Sequence, residues 1–196
     1  MRQLILIKHA MPNIDGNIPS KEWLLSEEGK IKSKSLANYI KGYNVKHIYT
    51  SDEQKAIATG EVICKELNLA LKTHKNLHEN DRTGLNYLTH DEYDKIFKSF
   101  FHNPSNNIVG KETAKEAQRR FMEAITDIIE NNRAEEDIVI VAHGTVISLF
   151  VSNFNKIDTF QLWQSLELPS FIELTIPNYK IINVIKAVDS INVSTV

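Results

Sequence analysis

The sequence predicts an α/β fold, a three-layer sandwich in which a mostly parallel central sheet is flanked by helices. Three observations carry this. Leu4–Ile7 and Ile138–Val141 are unbroken apolar runs bounded by polar residues, the pattern of strands buried on both faces. Segments of helical periodicity alternate with strand-like segments along the chain. A chain of 196 residues, 42% apolar and 24% charged, is also ample for one packed core, and a single domain over residues 1–196 is expected.

Beyond the first apolar run, Ser26 offers a hydroxyl cap and Glu27-Glu28 place acids in a first turn, so a helix is expected from there to about Lys41. Val45–Thr50 reads as a strand. Asp52 to Leu67 reads as a helix with Ala56, Ile63, Cys64 and Leu67 on one face. Leu69–Thr73 is a further strand. Asp91–Phe101 is an amphipathic helix carrying Tyr93, Ile96, Phe97, Phe100 and Phe101. Thr113-Ala114-Lys115-Glu116 is a capping box, and Ala117, Phe121, Ala124, Ile125 and Ile128 continue it at helical spacing. Phe171–Ile176 and Lys180–Ile185 close the sheet, with Pro177-Asn178 as the turn between them.

Composition narrows the function. A formal net charge of −2 gives no basic field to recruit nucleic acid or an anionic membrane, so an anion would be held by a local cluster of cations. Cys64 is the single cysteine, which fits a reducing compartment and no disulfide framework. The N-terminal apolar run is too short for a signal peptide, and no uncharged stretch reaches the ~18 residues of a membrane span. A cytoplasmic location is the expectation. No metal-ligand spacing and no phosphate-cradling Gly-Lys-Ser/Thr loop is present, and His74, His78, His90 and His102 are scattered, so neither metal nor cofactor is expected.

The informative feature lies at the carboxyl ends of the two apolar runs. The first leads into Lys8-His9-Ala10 and the second into Ala142-His143-Gly144. Ligands of open α/β sheets bind outside the carboxyl ends of the strands. Two central strands would thus deliver two histidines to one edge, where they can face each other across a site. A lone histidine in such a place is more often a core residue satisfied by backbone partners. The pairing, with a lysine beside one ring and a glycine beside the other, favours a site.

Here a resemblance becomes specific. Leu6-Ile7-Lys8-His9-Ala10 resembles the Arg-His-Gly signature of the histidine phosphatase superfamily, the phosphoglycerate-mutase-like enzymes. Leu25-Ser26-Glu27-Glu28-Gly29 is similar to its Leu-Thr/Ser-x-x-Gly helix start, and Ser51 through Thr59 to its Ser-x-x-x-Arg-Ala-x-x-Thr segment. Leu77-His78-Glu79 matches Leu-x-Glu, Gly110-Lys111-Glu112-Thr113 matches Gly-x-Glu-Ser, and Val141-Ala142-His143-Gly144 matches the second-histidine motif. The motifs fall in the family's order across roughly residues 3 to 150.

The resemblance implies a phosphatase acting on a small phosphorylated substrate. His9 would accept the phosphoryl group, Glu79 would be the proton donor to the leaving oxygen, and His143 would complete the phosphate pocket. Lys8, Lys55 and the backbone after Gly144 would supply positive charge. Read without the motif, Glu79 is an ordinary solvated loop acid. A surface lysine is the plain alternative for Lys55; against it, a cation stands unfavourably in the first turn of a helix. The family places arginines where Lys8 and Lys55 stand, and lysine lacks the planar fork matched to two phosphate oxygens. Losing one charge-assisted hydrogen bond costs roughly 1.5–3 kcal/mol, so reduced activity, a different substrate or a phosphate-binding protein of weak activity are all open. Arg82 is a candidate to supply the missing fork, or else an ion-pair partner of Asp81 or another acid. Asn13 is a candidate for the asparagine that follows the first motif. Residues 79–110 form the expected inserted segment, its helix either packed on the core or closing as a lid over the leaving group. A phosphoglycerate-mutase-type transferase is the alternative within the superfamily. The sequence leaves monomer against homodimer open.

Overall fold

The computed structural model describes residues 2–85 and 89–189, apart from the side chain of His90. Six strands form one sheet: β1 (Gln3–Lys8), β2 (His47–Thr50), β3 (Ala70–Thr73), β4 (Ile138–Ala142), β5 (Ser170–Thr175) and β6 (Ile181–Ile185). Their order is β3-β2-β4-β1-β5-β6. The first four strands of that order pair in parallel. β5 and β6 are antiparallel additions on the β1 side. The helices are α1 (Glu27–Ile40), α2 (Gln54–Leu67), α3 (His90–His102), α4 (Ala114–Glu130), α5 (Gly144–Phe154) and α6 (Thr159–Ser165).

Alternation along β1 explains the three layers. Leu4 and Leu6 face a core shared with α3, α4, α5 and α6. Ile5 and Ile7 face the opposite way, into a core shared with α1 and α2. All four are fully buried, and so are Ile140 and Val141 of β4. Each strand therefore needs apolar residues at every position, which is why the runs are unbroken.

The caps act as the sequence suggests. Ser26 Oγ accepts from the Gly29 N–H, and Thr113 and Glu116 form a reciprocal capping box. Tyr179 donates its N–H to the Thr175 carbonyl and closes the β5–β6 turn. α6 has no counterpart in the sequence reading. It is seven residues long, capped by Asp158, and has Phe160 as its one buried residue, so it carries too little periodicity to be read. β1, β2 and β4 all end at the same edge, and that edge carries the site.

Candidate active site

His9 follows β1, Ser51 and Glu53 follow β2, and His143 follows β4. Parallel pairing in register brings these chain ends together: the His9 N–H donates to the Ala142 carbonyl, and the Ser51 N–H to that of Val141. The rings of His9 and His143 stand edge to face, with centroids 5.2 Å apart. The sequence-based expectation that the two histidines converge is met.

The tautomer of His9 follows from its partner. Nδ1 lies 2.8 Å from the Ala10 carbonyl, which can only accept, so Nδ1 carries the proton and Nε2 keeps its lone pair. Burial, the neighbouring His143 and the ammonium groups of Lys55 and Lys8 all hold His9 well below the usual imidazole range. His143 is fully buried at the N-terminus of α5. Its Nε2 lies 2.7 Å from Ser51 Oγ and 3.3 Å from a Glu53 carboxylate oxygen, while no described residue bonds Nδ1. Burial lowers its pKa, against the pull of Glu53 and Glu79.

Glu79 is held from three sides. One oxygen accepts from the Asn80 N–H at 2.9 Å; the other accepts from Arg82 Nη2 at 3.1 Å and from the Thr145 N–H of α5 at 3.2 Å. Burial pushes this carboxyl up, but Arg82, His143 and the Asn80 N–H outweigh burial and keep it below its usual range. The N–H expected to help bind phosphate is thus engaged by Glu79. The backbone of the Glu79 loop is itself fixed. Arg120 grips Glu112 through two 2.8 Å bonds and donates to the carbonyls of Asn76, His78 and Glu79. Gly110 has φ +68°, and a Cβ there would sit 1.8 Å from the Asp81 carbonyl, so only glycine lets the two ends of the 79–110 segment meet.

The cations are arranged less simply than the sequence suggests. Lys55 is buried beside the Trp23 ring and donates to the Ser20 carbonyl at 2.7 Å and to Glu53 at 2.5 Å. Lys8 donates to the Leu166 carbonyl at 2.6 Å, and burial lowers its pKa to about 8. Its Cε lies 3.1 Å from where a Cβ on Gly144 would be, a tight contact that the lysine stem would have to relieve. Arg82 bonds Glu79, Asn80, Tyr93 and Thr145, and its guanidinium lies 4.7 Å from the Phe97 ring centre. It joins the site through Glu79, not through Asp81. Asn13 is exposed, donates its N–H to Leu24 and does not line the cleft.

Glu53 was not singled out by the sequence. It is the N-cap of α2 yet makes no side-chain cap bond; its carboxylate instead bonds Lys55 and accepts from the Glu79 N–H at 2.8 Å. Burial opposes its ionisation, but His143 and Lys55 together lower its pKa to about 2. An acid at a cap position that prefers Ser, Thr, Asp or Asn, two residues before the expected cation, was the available signal.

These groups floor a cleft of about 1140 Å³ lined also by Met11, Pro12, Ile14, Trp23, Leu85 and Leu168. His9, Glu79 and Arg82 also line an adjoining cavity of about 470 Å³ with Lys8, Tyr93 and Trp163. The aromatic face of α3 is largely core: Phe97 and Phe100 are fully buried, and Phe97 stacks on Trp163 at 4.9 Å. Residues 86–88 of the expected inserted segment lie outside the described residues. Among the described residues no group of three His, Cys, Asp or Glu is placed to hold a metal ion, and no helix is long and apolar enough to cross a membrane.

A sequence model of the histidine phosphatase superfamily (branch 1) matches residues 4–182, nearly the whole chain. The chain belongs to that superfamily. It is 30% identical to a phosphoglycerate mutase family protein of Acanthamoeba polyphaga mimivirus over 142 residues, 67% of this chain, and spans 62% of that relative's length. Its fold resembles that of a mycobacterial glucosyl-3-phosphoglycerate phosphatase, with TM-score 0.74, 17% identity and coverage of 95% of this chain and 99% of the other. It likewise resembles a phosphoserine phosphatase from Entamoeba histolytica solved with phosphoserine, with TM-score 0.74, 17% identity and coverage of 97% and 100%.

Proposed function

We propose that this superfamily member hydrolyses phosphate monoesters through a phosphohistidine on His9. The observation that carries the proposal is the bond from His9 Nδ1 to the Ala10 carbonyl, which leaves Nε2 unprotonated beside His143. Neutral imidazole is nucleophilic near pH 7, and neighbouring positive charge keeps the ring neutral. Nε2 attacks phosphorus, a P–Nε2 bond forms and the ester P–O bond breaks. The leaving oxygen takes a proton from Glu79. Water then attacks phosphorus, Glu79 takes a proton from that water, the P–Nε2 bond breaks, and inorganic phosphate and free His9 result.

Two groups change protonation in this cycle. Glu79 is ionised in the free protein, so the incoming dianion must raise its pKa by repulsion before it can serve as acid. The Glu53 carboxylate beside His143 Nε2 favours a proton there. Nδ1 has no partner among the described residues, and a bound dianion favours uptake of a second proton from solvent there, which lets the ring donate to a phosphate oxygen. Lys8, Lys55 and the Gly144 end of α5 supply the remaining positive field. The 79–110 segment contributes the acid, Arg82 and the Tyr93 side of the second cavity. The neighbours named as phosphatases support hydrolysis as the reaction type.

Turnover of an aryl phosphate tests this. His9→Ala is expected to lower kcat by about 10⁴-fold or more. Unchanged turnover in that variant would remove the proposal.

A further inference from the structure

We propose, resting on the phosphatase reading, that the substrate is a phosphate ester of an apolar alcohol, seated against Trp23 and Ile14, and that a leaving group bearing a carboxylate is rejected.

The cleft is far larger than a phosphoryl group, so most of its wall must meet the leaving group. Its open side is built by the segment between β1 and α1, which supplies Pro12, Ile14, Pro19 and Trp23, with Leu85 and Leu168 beyond. Ile14 is 72% exposed and lines the cleft, so folding has not hidden it. Ile18 and Leu24 of the same segment are exposed as well but do not line the cleft. An apolar patch opening onto a cleft that holds titratable groups marks a binding wall.

This wall is fixed to the phosphate end. The indole N–H of Trp23 donates to the Asp15 carbonyl at 2.8 Å, and Lys55 ties the Ser20 carbonyl to Glu53. The Lys55 ammonium lies 5.9 Å from the Trp23 ring centre, which sets the indole beside the end of the cleft where phosphate is proposed to bind. Each such tie lowers the ordering cost of a contact with the wall.

Charge sets the exclusion. Glu22, Asp52 and Asp81 line the same cleft. Lys55 and Arg82 are engaged at the phosphate end, which leaves Lys21 as the one further lysine or arginine among the described lining residues. A second anion on the substrate would therefore meet three carboxylates.

Three esters decide the matter: ethyl phosphate, hexyl phosphate and hexyl phosphate with a terminal carboxylate. Their reacting ends are alike, so leaving-group chemistry is nearly constant. Hexyl phosphate is expected to exceed both others by about tenfold or more in kcat/KM. Ile14→Asp and Trp23→Ala are expected to shrink the hexyl-to-ethyl ratio severalfold. That ratio does not depend on how much of a preparation is folded. Calorimetric binding of the same esters to His9→Ala protein reads the preference without turnover. The ranking kept in binding but with no turnover by wild type would end the phosphatase reading and keep this inference. A flat ranking, a preference for the carboxylate or no binding of any ester would overturn it.

Discussion

The two ends of the cleft are built on opposite principles. At the end that holds the two histidines the charges are buried or half-buried and paired: Glu53 with Lys55, Glu79 with Arg82, and Glu112 with Arg120 behind them. At the mouth, the segment from Pro12 to Leu24 exposes Ile14, Ile18 and Leu24 to solvent. The first region hangs on the ends of parallel strands, whose register fixes its groups to one another. The second hangs on one isolated bridge, Pro12 to Leu25, and on a few bonds such as that from Lys55 to Ser20. In the proposed reading, position in the sheet sets the chemistry, while the connection between elements sets selectivity. Substitutions at the two ends should accordingly differ in kind.

The largest contrast is expected at Glu79. Glu79→Gln removes the proposed proton donor, and kcat for an alkyl phosphate should fall about 10²- to 10⁴-fold. With a nitrophenyl leaving group, which needs little protonation, the loss should be far smaller. Equal losses for both esters would mean that Glu79 acts only by holding the loop.

Next comes pH. Lys8 loses its proton near pH 8 in the free protein, because burial and Arg82 together outweigh Glu79 and Glu167. kcat/KM should therefore fall on a basic limb near that pH, and Lys8→Arg should move the limb upward by more than one unit. An unmoved limb would assign the titration elsewhere and detach Lys8 from the phosphate.

Stability separates the two ends as well. His9 and His143 are buried with lowered pKa values, so the unfolded chain binds more protons below pH 6.5 and stability falls as pH drops through that value. Glu53 titrates at about 2 when folded and at 4.5 as an ordinary carboxyl. Its contribution is present above pH 4.5 and is lost as pH falls toward 2, an effect on the order of a few kcal/mol. Urea unfolding at several pH values reads both steps, and Glu53→Gln should shrink the lower one, leaving the part owed to Glu79 and the other carboxyls with lowered pKa values. The smallest effect belongs to the mouth: Ile14→Ser should change unfolding free energy by less than about 0.5 kcal/mol. A larger loss would show that this residue serves the core.

Much of this was legible in the sequence, and unevenly. The unbroken runs at Leu4 and Ile138 located the central strands, and the residues after them located both histidines, because strand ends at one edge must converge. Glu79 and Lys55 were recognisable only through their motifs, since a loop acid and a helix lysine carry no signature of their own. Partnerships were hidden. Nothing in the order of residues tells that Lys8 turns to the Leu166 carbonyl, that Arg82 is spent on Glu79 and Tyr93, or that Glu53 forsakes the helix cap for Lys55. Each is a contact between segments far apart or a choice between nearby acceptors, and side-chain reach decides it. The mouth was missed because apolar residues in a loop show no periodicity.

Rapid quenching of the protein during turnover, with the quenched chain digested and its phosphorylated peptide identified by mass spectrometry, decides whether His9 is the nucleophile. Attack by His9 requires an acid-labile phosphoryl group on the peptide containing that residue, formed and discharged at rates compatible with kcat. Steady hydrolysis with the phosphoryl group on another residue, or with no phosphorylated protein at any quench time under saturating substrate, would contradict it.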